Sequence, residues 1–222
     1  RTKKLCRAIR GNNFEFVWVV EQRVDLVERD LIREMRNAGC RTMALGIESA
    51  NQRTLDYFNK GITPKMARDA ANIVKREGID FLMGTFIIGA PMETLPEIKN
   101  TLKFAQDLPI DFPQFHIFGA IPGTQVWDRL VESGKIDPEK YWETGVKTLE
   151  PDLETVEKEM QNGYINFLKR PKFIVDQIGQ TLTSLHRLKI FLANLDFLWK
   201  KSNVQQFFDF TTTTWTHGVE GK

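Results

Sequence analysis

The sequence feature that most constrains the fold of this chain is an apolar run, which begins at residue 81 and stops at Gly89-Ala90-Pro91. A continuous apolar run of this length is typical of a parallel strand that is covered on both faces. The next residues, Thr94-Leu95-Pro96-Glu97, open an amphipathic pattern, which predicts that a helix begins there. The break therefore lies at the carboxyl end of a parallel strand, where α/β sheets bind their ligands.

The same alternation occurs three more times along the chain. Apolar, β-branched or aromatic runs at residues 14–20, 42–47 and 115–120 predict strands, and a helical pattern follows each of them. Helix-length connections require parallel strands with right-handed crossovers, and four such strands are too few for a barrel of eight. The sequence therefore predicts either a small open sheet or part of a larger closed one.

Two further helix starts are predicted from capping patterns. Asp25 is followed three residues later by Glu28, which resembles a capping box. Thr63 precedes Pro64, so a capping hydroxyl comes directly before a proline at the first helical position.

The pattern changes after about residue 136. Residues 137–202 carry a polar-aromatic loop and long amphipathic helical patterns, whereas the segment 203–222 contains a Thr-rich run and shows no periodicity. We therefore predict three parts, which are an α/β part at 1–136, a helical extension at 137–202 and a loose tail at 203–222.

Composition narrows the class of protein. The formal net charge of +2 does not predict nucleic-acid binding. Cys6 and Cys40 suggest a reducing compartment, and their spacing does not make a metal site. We find no signal peptide and no apolar run long enough to span a bilayer, so we expect a cytoplasmic protein without a transmembrane segment. The first residue is Arg rather than Met, so we also expect a piece of a longer protein.

Polar residues or Gly/Pro turns follow all four predicted strands. In chain order they are Glu21 and Arg23, Glu48 and Ser49, Gly89-Ala90-Pro91, and Pro122-Gly123-Thr124. Because the carboxyl ends of parallel strands share one rim, this arrangement predicts a single ligand cleft. Carboxylates there can accept hydrogen bonds from hydroxyl or ammonium groups, and Arg can bind a carboxylate bidentately. His116 in the fourth strand is either a substrate contact or a structural histidine.

These strand ends resemble the later half of the core of radical SAM enzymes. The resemblance rests on EQRVD at 21–25, LGIESA at 45–50, NKG at 59–61, FIIGAP at 86–91 and IPGT at 121–124. Their order and spacing are similar to those in methylthiotransferases and cobalamin-dependent members. Residues 167–174, FLKRPKFI, resemble the Phe-Tyr-x-Arg-Pro-x-x-Ile segment that follows the core in cobalamin-binding radical SAM proteins. The resemblance covers roughly residues 1–175 and is strongest to that branch.

This resemblance implies an α/β fold, namely a partial (βα)6 TIM-like barrel with about four parallel βα units, followed by a helical C-terminal extension. It also implies binding of S-adenosylmethionine (SAM) against a [4Fe-4S] cluster, whose electron cleaves SAM to a 5′-deoxyadenosyl radical. In the implied site, Glu21 and Arg23 face the cofactor, Glu48 and Ser49 reach its ribose or methionine part, and Lys60 lies near its carboxylate. The implied adenine contacts are Gly89, Ala90 and Pro91 on one side and Ile121 and Pro122 on the other.

One departure from the family pattern limits what this chain can do. The cluster motif Cys-x-x-x-Cys-x-x-Cys is absent, and neither Cys6 nor Cys40 is placed to replace it. We therefore assign no catalytic residue and no metal ligand here, and we expect the segment alone to be inactive. In a full-length parent, the implied reaction is cobalamin-dependent methylation, cyclisation or rearrangement at an unreactive carbon. The implied partners are a small-molecule substrate, such as a tetrapyrrole, lipid or natural product, and a reducing electron donor.

Two other interpretations remain open. A truncated relative without a cluster would use the same cleft as a binding or scaffold module. A methylthiotransferase-like enzyme that modifies tRNA would share the core, but it should also carry a basic RNA-binding domain, and the near-neutral charge argues against one. In every case the first strand, predicted at 14–20, is expected to lack a neighbour on one side.

Overall fold

The computed structural model describes residues 1–144 and 151–188. Its strands are β1 (Trp18–Arg23), β2 (Cys40–Glu48), β3 (Phe81–Ile88) and β4 (Phe112–Ile117). Its helices are α1 (Thr2–Gly11), α2 (Arg29–Asn37), α3 (Gln52–Tyr57), α4 (Pro64–Arg76), α5 (Leu95–Asp107), α6 (Gln125–Glu132), α7 (Tyr141–Thr144), α8 (Leu153–Leu168) and α9 (Pro171–Thr183).

The four strands form one parallel sheet in the order β1-β2-β3-β4. Sequential strands are neighbours throughout, and at least one helix lies between each pair, as in a series of right-handed βαβ units. The predicted α/β fold with four parallel βα units is therefore confirmed. β1 lies at an edge of the sheet, as expected for a strand that lacks one neighbour.

Two predicted strands are displaced in the structure. β1 begins at Trp18 instead of residue 14, and Phe14 and Phe16 are 62% and 49% exposed, so the prediction of a strand there was wrong. β4 begins at Phe112 instead of residue 115 and includes Pro113. Proline is tolerated in this strand because β4 lies at the other edge of the sheet, where a missing N–H breaks no ladder bond.

The predicted helix starts have mixed outcomes. The helix predicted at Thr94 and Glu97 is α5, and these two residues form a capping box at its start. The Thr63 hydroxyl accepts the Met66 N–H at the predicted start of α4. The capping box predicted at Asp25 was wrong. A 3-10 turn occupies Val24–Leu26, and α2 begins only at Arg29. The Asp25 carboxylate is instead bound by the guanidinium of Arg23, which competes for the same oxygens.

Helices cover one face of the sheet and leave the other open. In β3, buried and half-buried residues alternate strictly, with Leu82, Phe86 and Ile88 buried in the core. The helices contribute further core residues, among them Ile32, Met35, Val74, Leu102 and Phe167. Because successive side chains in a strand point to opposite faces, Met83, Thr85 and Ile87 lie on what we call the open face.

The edge of the sheet at β4 is closed by α8. The Tyr164 hydroxyl accepts a hydrogen bond from the Phe115 N–H at 3.0 Å, and its ring packs edge-on against the Phe115 ring. The N–H of Phe115 therefore points away from β3. Residue 113 is two positions earlier in the same strand, so its nitrogen has the same orientation, and this explains why Pro113 fits.

A charged network closes the amino end of the sheet. Asp111 directly precedes β4, and its carboxylate accepts the Leu82 N–H at 2.7 Å and a hydrogen bond from Lys75 at 2.9 Å. Arg187 follows α9 and reaches the same carboxylate at 2.6 Å. These contacts attach the end of the described chain to the sheet.

The three-part division remains a prediction, since residues 203–222 lie outside the described part.

Candidate functional site

The predicted rim residues meet at the carboxyl ends of β1 and β2. Glu21 and Arg23 occupy alternate positions of β1 and are exposed on the open face. Glu48 is the last residue of β2, and Lys60 lies in the loop that follows α3. The Lys60 ammonium donates to Glu48 Oε1 at 2.8 Å, and Arg23 donates to the Lys60 carbonyl at 3.1 Å. The structure thus brings together Arg23, Glu48 and Lys60, which we call the rim cluster.

Glu48 is held in a conformation that its residue type disfavours. Its φ is +67°, in the left-handed region, and the register of β2 against β3 shifts between Gly46 and Glu48. Such strain costs about 1–3 kcal/mol for a residue with a Cβ, and it concentrates at functional sites. A Cβ at Gly46 would lie 3.2 Å from Glu48 Oε1, so Gly46 leaves space for the carboxylate. The chain therefore aims this carboxylate at the rim at an energetic cost.

The loop that carries Lys60 is shaped by two flanking left-handed residues. Asn59 has φ +52° and Gly61 has φ +65°, and the Lys60 N–H donates to the Leu55 carbonyl at 3.1 Å. Arg23 is further oriented by a bidentate contact with Asp25 at 3.0 and 3.1 Å. This ion pair raises the pKa of Arg23 and lowers that of Asp25. Both groups therefore remain charged at neutral pH.

His116 faces the same space from β4. Burial lowers the pKa of His116, and the negative charges of Glu48 and Glu21 partly oppose this effect. The imidazole is exposed on the open face, on the side of β4 opposite to the buried Phe115. The open face therefore carries carboxylates from β1 and β2 and an imidazole from β4.

The Gly89-Ala90-Pro91 turn follows β3. Gly89 has φ +76°, which a residue with a Cβ rarely adopts. A Cβ there would meet Val156 of α8 at 3.3 Å, so the glycine is also needed for packing against the helical extension. The predicted contact of the Gly89 backbone with adenine stays a prediction. Ala90 is buried and Pro91 half-buried.

A buried carboxylate that we did not predict holds this turn. Glu93 is fully buried, and its carboxylate accepts the N–H of Gly89 at 2.8 Å and that of Ala90 at 3.3 Å. The Thr54 hydroxyl of α3 donates to its other oxygen at 3.4 Å. Burial raises the pKa of Glu93, and the two amides partly oppose this. An acidic residue directly after an apolar turn was the local signal that could have identified it.

Ser49 lies on the opposite side from the rim cluster. It is fully buried, with its hydroxyl 3.2 Å from that of Thr101 in α5, and it accepts the Asn51 N–H at 3.1 Å. These contacts explain Ser49 as a residue that attaches the end of β2 to α5. Its predicted cofactor contact has no support in this geometry, because the hydroxyl faces the helices.

The last predicted contacts follow β4. Ile121 is 67% exposed and Pro122 is also exposed, so both are free to contact a ligand at the rim. The Tyr141 hydroxyl donates to the Ala120 carbonyl at 2.6 Å and supports this segment from behind. Next to it, the rings of Phe58 and Phe118 stack at 5.9 Å and connect the loop after α3 to the end of β4.

The described residues do not fit an iron–sulfur cluster. Within residues 1–144 and 151–188, no group of three His, Cys, Asp or Glu side chains is placed to hold a metal ion. Cys6 of α1 and Cys40 at the start of β2 are both fully buried, and burial raises the pKa of the Cys40 thiol to about 12. Because the thiolate is the metal-binding form, these cysteines are poor ligands at neutral pH. None of the helices in these ranges is long and apolar enough to cross a membrane.

Comparison with known sequences identifies the family. The sequence model of the radical SAM superfamily matches residues 2–105. The chain is 34% identical over 180 residues to the uncharacterized methyltransferase PH0819 of Pyrococcus horikoshii, a match that covers 77% of the chain and 38% of PH0819. It is 30% identical over 135 residues to the anaerobic magnesium-protoporphyrin IX monomethyl ester cyclase of Cereibacter sphaeroides, covering 60% of the chain and 22% of the cyclase. The chain thus spans well under half the length of these relatives.

Solved structures share the fold. Coproporphyrinogen III oxidase (HemN) from Escherichia coli, a radical SAM enzyme, aligns with a TM-score of 0.59 at 16% identity, over 75% of this chain and 37% of its own. The radical SAM methyltransferase TsrM from Kitasatospora setae, solved with cobalamin and a [4Fe-4S] cluster, aligns with a TM-score of 0.54 at 18% identity, over 59% of this chain and 27% of its own. Together these comparisons confirm the predicted resemblance: the chain belongs to the radical SAM superfamily and is similar to members of its cobalamin-binding branch.

Proposed function

We propose that this chain forms the SAM-binding later half of the barrel in a larger radical SAM enzyme that methylates or cyclises a tetrapyrrole-like small molecule. The observation that supports this most is the rim cluster, in which the strained Glu48 carboxylate and the Lys60 ammonium are 2.8 Å apart at the carboxyl rim. This pair has the chemistry to bind a zwitterionic amino acid with adjacent hydroxyl groups. The cleft at this rim is the usual ligand site of parallel βα folds.

Each rim residue has a distinct task in this proposal. Glu48 accepts hydrogen bonds from the ribose hydroxyls or the amino group of SAM, and Arg23 and Lys60 hold its carboxylate. The backbone of Gly89, Ala90 and Pro91 lies along the adenine, and Ile121 and Pro122 cover its other face. When bound to SAM, a [4Fe-4S] cluster supplies the electron for radical formation. Its ligands, a cobalamin site and the contact with an electron donor would belong to other parts of the protein.

The substrate class is inferred from relatives and from the open face. One relative acts on magnesium-protoporphyrin IX monomethyl ester, and another is named bacteriochlorophyllide d C-8(2)-methyltransferase. A wide open face lined by Met83, Ile87 and His116 suits a flat, mainly apolar ring. Methylation and cyclisation both begin with removal of hydrogen from an unreactive carbon, so the same face would serve either reaction.

The test uses the full-length protein reconstituted with iron and sulfide under anaerobic conditions. We expect a brown protein that cleaves SAM when reduced, and we expect Glu48→Gln to weaken SAM binding by about tenfold or more, the size of a lost charged hydrogen bond. Glu28→Gln is the matched control, since Glu28 is 70% exposed on the helical side and contacts only Lys3 among the ion pairs of the described residues. A colourless full-length protein that neither binds nor cleaves SAM would contradict the proposal and favour a cluster-free binding module.

A further inference from the structure

The imidazole of His116 is the group on the open face that has no specific task in the proposed function. It is exposed on the side of β4 opposite to the buried Phe115, and its partner in the register of the sheet is Ile87 of β3. Among the residues that the structure describes, none forms a hydrogen bond with it. One N–H and one acceptor nitrogen are therefore available to a ligand.

The imidazole is also in the protonation state that binds metal ions. Partial burial lowers the pKa of His116 below its ordinary value of 6.5, and the charges of Glu48 and Glu21 only partly oppose this effect. At neutral pH the imidazole is therefore mainly uncharged, and one of its nitrogens has a free lone pair. A neutral imidazole is the commonest metal ligand that proteins provide.

The surface beside His116 suits a flat ring. Ala44 and Gly46 of β2 contribute almost no side chain to the open face, so the floor is low on that side. The Thr85 hydroxyl between them and β4 donates to the Leu45 carbonyl at 3.2 Å and is therefore already paired. Side chains of a strand stand roughly perpendicular to the sheet, so His116 would meet a ring that lies over the sheet on its flat face.

The carboxylates on the same face are less suited to bind a metal ion. Lys60 donates to Glu48 Oε1 at 2.8 Å, so a metal ion there would compete with an existing ion pair. Glu21 lies on β1, at the edge of the sheet opposite to β4. His116 is therefore the side chain of this face that best combines an unpaired nitrogen with an apolar neighbour.

We propose that His116 is the axial ligand of a metal ion at the centre of the substrate's ring, so that the substrate is a metallated tetrapyrrole. This inference rests on the proposed function, which gives the open face a tetrapyrrole-like substrate and does not say whether the ring holds a metal. The four ring nitrogens occupy the in-plane positions of such an ion and leave an axial position for a fifth ligand. A ring without a metal lacks this position.

The experiment compares two rings that differ only in the metal, zinc protoporphyrin IX and metal-free protoporphyrin IX, because imidazole is a good ligand for zinc. Their affinities for the full-length protein are measured by fluorescence titration. We expect the wild type to bind the zinc ring about tenfold or more tightly than the metal-free ring, and His116→Ala to bind both equally. Gln114→Ala, on the same face two positions earlier, is the matched control and should keep the preference for zinc.

A second measurement separates coordination from packing. The absorption band of the zinc ring should shift to longer wavelength on the wild type and not on His116→Ala. Imidazole, added at a concentration that leaves the free ring uncoordinated, should restore this shift in His116→Ala. If that variant does not fold, His116→Phe serves as the test, because it keeps an aromatic ring on the face and lacks the nitrogen.

The outcomes separate this inference from the proposed function. If the wild type binds both rings equally, or if His116→Ala or its substitute His116→Phe keeps the preference for zinc, His116 is not a metal ligand. If the wild type binds neither ring but still binds SAM, the tetrapyrrole-like substrate is overturned and this inference fails with it. If the wild type binds the rings but not SAM, the proposed SAM site is overturned, and the comparison of the two rings still decides the role of His116.

Discussion

Two charged clusters lie at opposite ends of the same sheet, and they differ in how completely their charges are paired. At the amino end, the Asp111 side chain is 2% exposed and is bonded to Lys75, Arg187, Gln177 and a backbone amide. At the carboxyl rim, Glu48 is 13% exposed, its partner Lys60 is 32% exposed, and its backbone is strained. Asp111 is therefore a fully paired buried carboxylate, whereas Glu48 is partly exposed, has one cationic partner and lies on a strained backbone.

The contrast extends to the direction of the energetic effects. Burial alone would raise the pKa of Asp111, but Lys75 and Arg187 lower it below its ordinary value, so the cluster favours the folded state. The left-handed φ of Glu48 works against the folded state. Natural proteins retain such a cost where function requires the geometry. Removing Asp111 at the amino end should therefore lower the free energy of unfolding and leave SAM binding unchanged. Removing Glu48 at the rim should raise the free energy of unfolding and weaken SAM binding.

The largest effect is expected at the amino end. Asp111→Ala would leave Lys75 and the nearly buried Arg187 without their carboxylate, and breaking a buried ion pair costs about 3–5 kcal/mol. We expect a loss of this size in the free energy of unfolding, measured by urea titration. The affinity of the remaining folded protein for SAM should not change. If Asp111→Ala lowers the free energy of unfolding by less than about 1 kcal/mol, the Asp111 cluster does not stabilise the fold, and the two ends of the sheet do not differ in the way described.

An intermediate effect is expected at the edge of β4. Tyr164→Phe removes the hydroxyl that accepts the Phe115 N–H and keeps the ring contacts. An unpaired buried amide costs about 1–3 kcal/mol, and we expect that loss in the same urea titration. Tyr57→Phe is a suitable control because the Tyr57 ring is half-buried and its hydroxyl does not cap a strand. Equal effects in the two variants would show that the edge bond is unimportant.

A gain in stability is expected at the rim. Glu48→Gly relieves the left-handed φ and should stabilise the fold by about 1 kcal/mol, less whatever the part-buried contact with Lys60 contributes. The same change should abolish measurable SAM binding, because it removes the carboxylate. Asn13→Gly, at φ +53° and far from the rim, is the control that should leave binding unchanged. A Glu48→Gly protein that still binds SAM would end the assignment of Glu48 as a ligand.

The smallest expected effect is on the stability of the fold at acidic pH. Arg53 and the Thr94 groups lower the pKa of Glu97 to about 2, so its folded-state pKa lies below the unfolded value of about 4.3. A depressed pKa contributes stability above the unfolded pKa, and this contribution is lost as pH falls toward the folded pKa. The urea midpoint should therefore fall between about pH 4.5 and pH 2, and it should fall less in Glu97→Gln. The size of the difference is limited because solvent screens this partly exposed pair.

The sequence predicted those parts of the fold that depend on local pattern. The apolar runs and helix-start residues identified four parallel strands, and the polar strand ends identified Arg23 and Glu48 at one rim. Lys60 was added by the family resemblance, and the structure places it beside Glu48. The beginning of β1 was misplaced because Phe14 and Phe16 look like strand residues. In the structure both side chains lie before the edge strand β1 and are exposed, which local pattern does not reveal.

The residues that were missed act over long sequence separations. Tyr164 is 49 residues from Phe115, and Arg187 reaches Asp80, which is 107 residues away. No periodicity or capping rule contains information on such contacts. Glu93 is different, since Gly89 is only four residues away and the signal was local. It was missed because an acidic residue after a turn is usually a solvated one.

The Tyr164 contact has a consequence for assembly. A sheet with two open edges can be extended from both sides, and this is how strand pairing produces fibres. In the described part of this chain, β4 is capped by a side chain and β1 is the edge that remains available. Within the described residues, a further strand can therefore be added at the β1 edge alone, and it would extend the sheet in one direction.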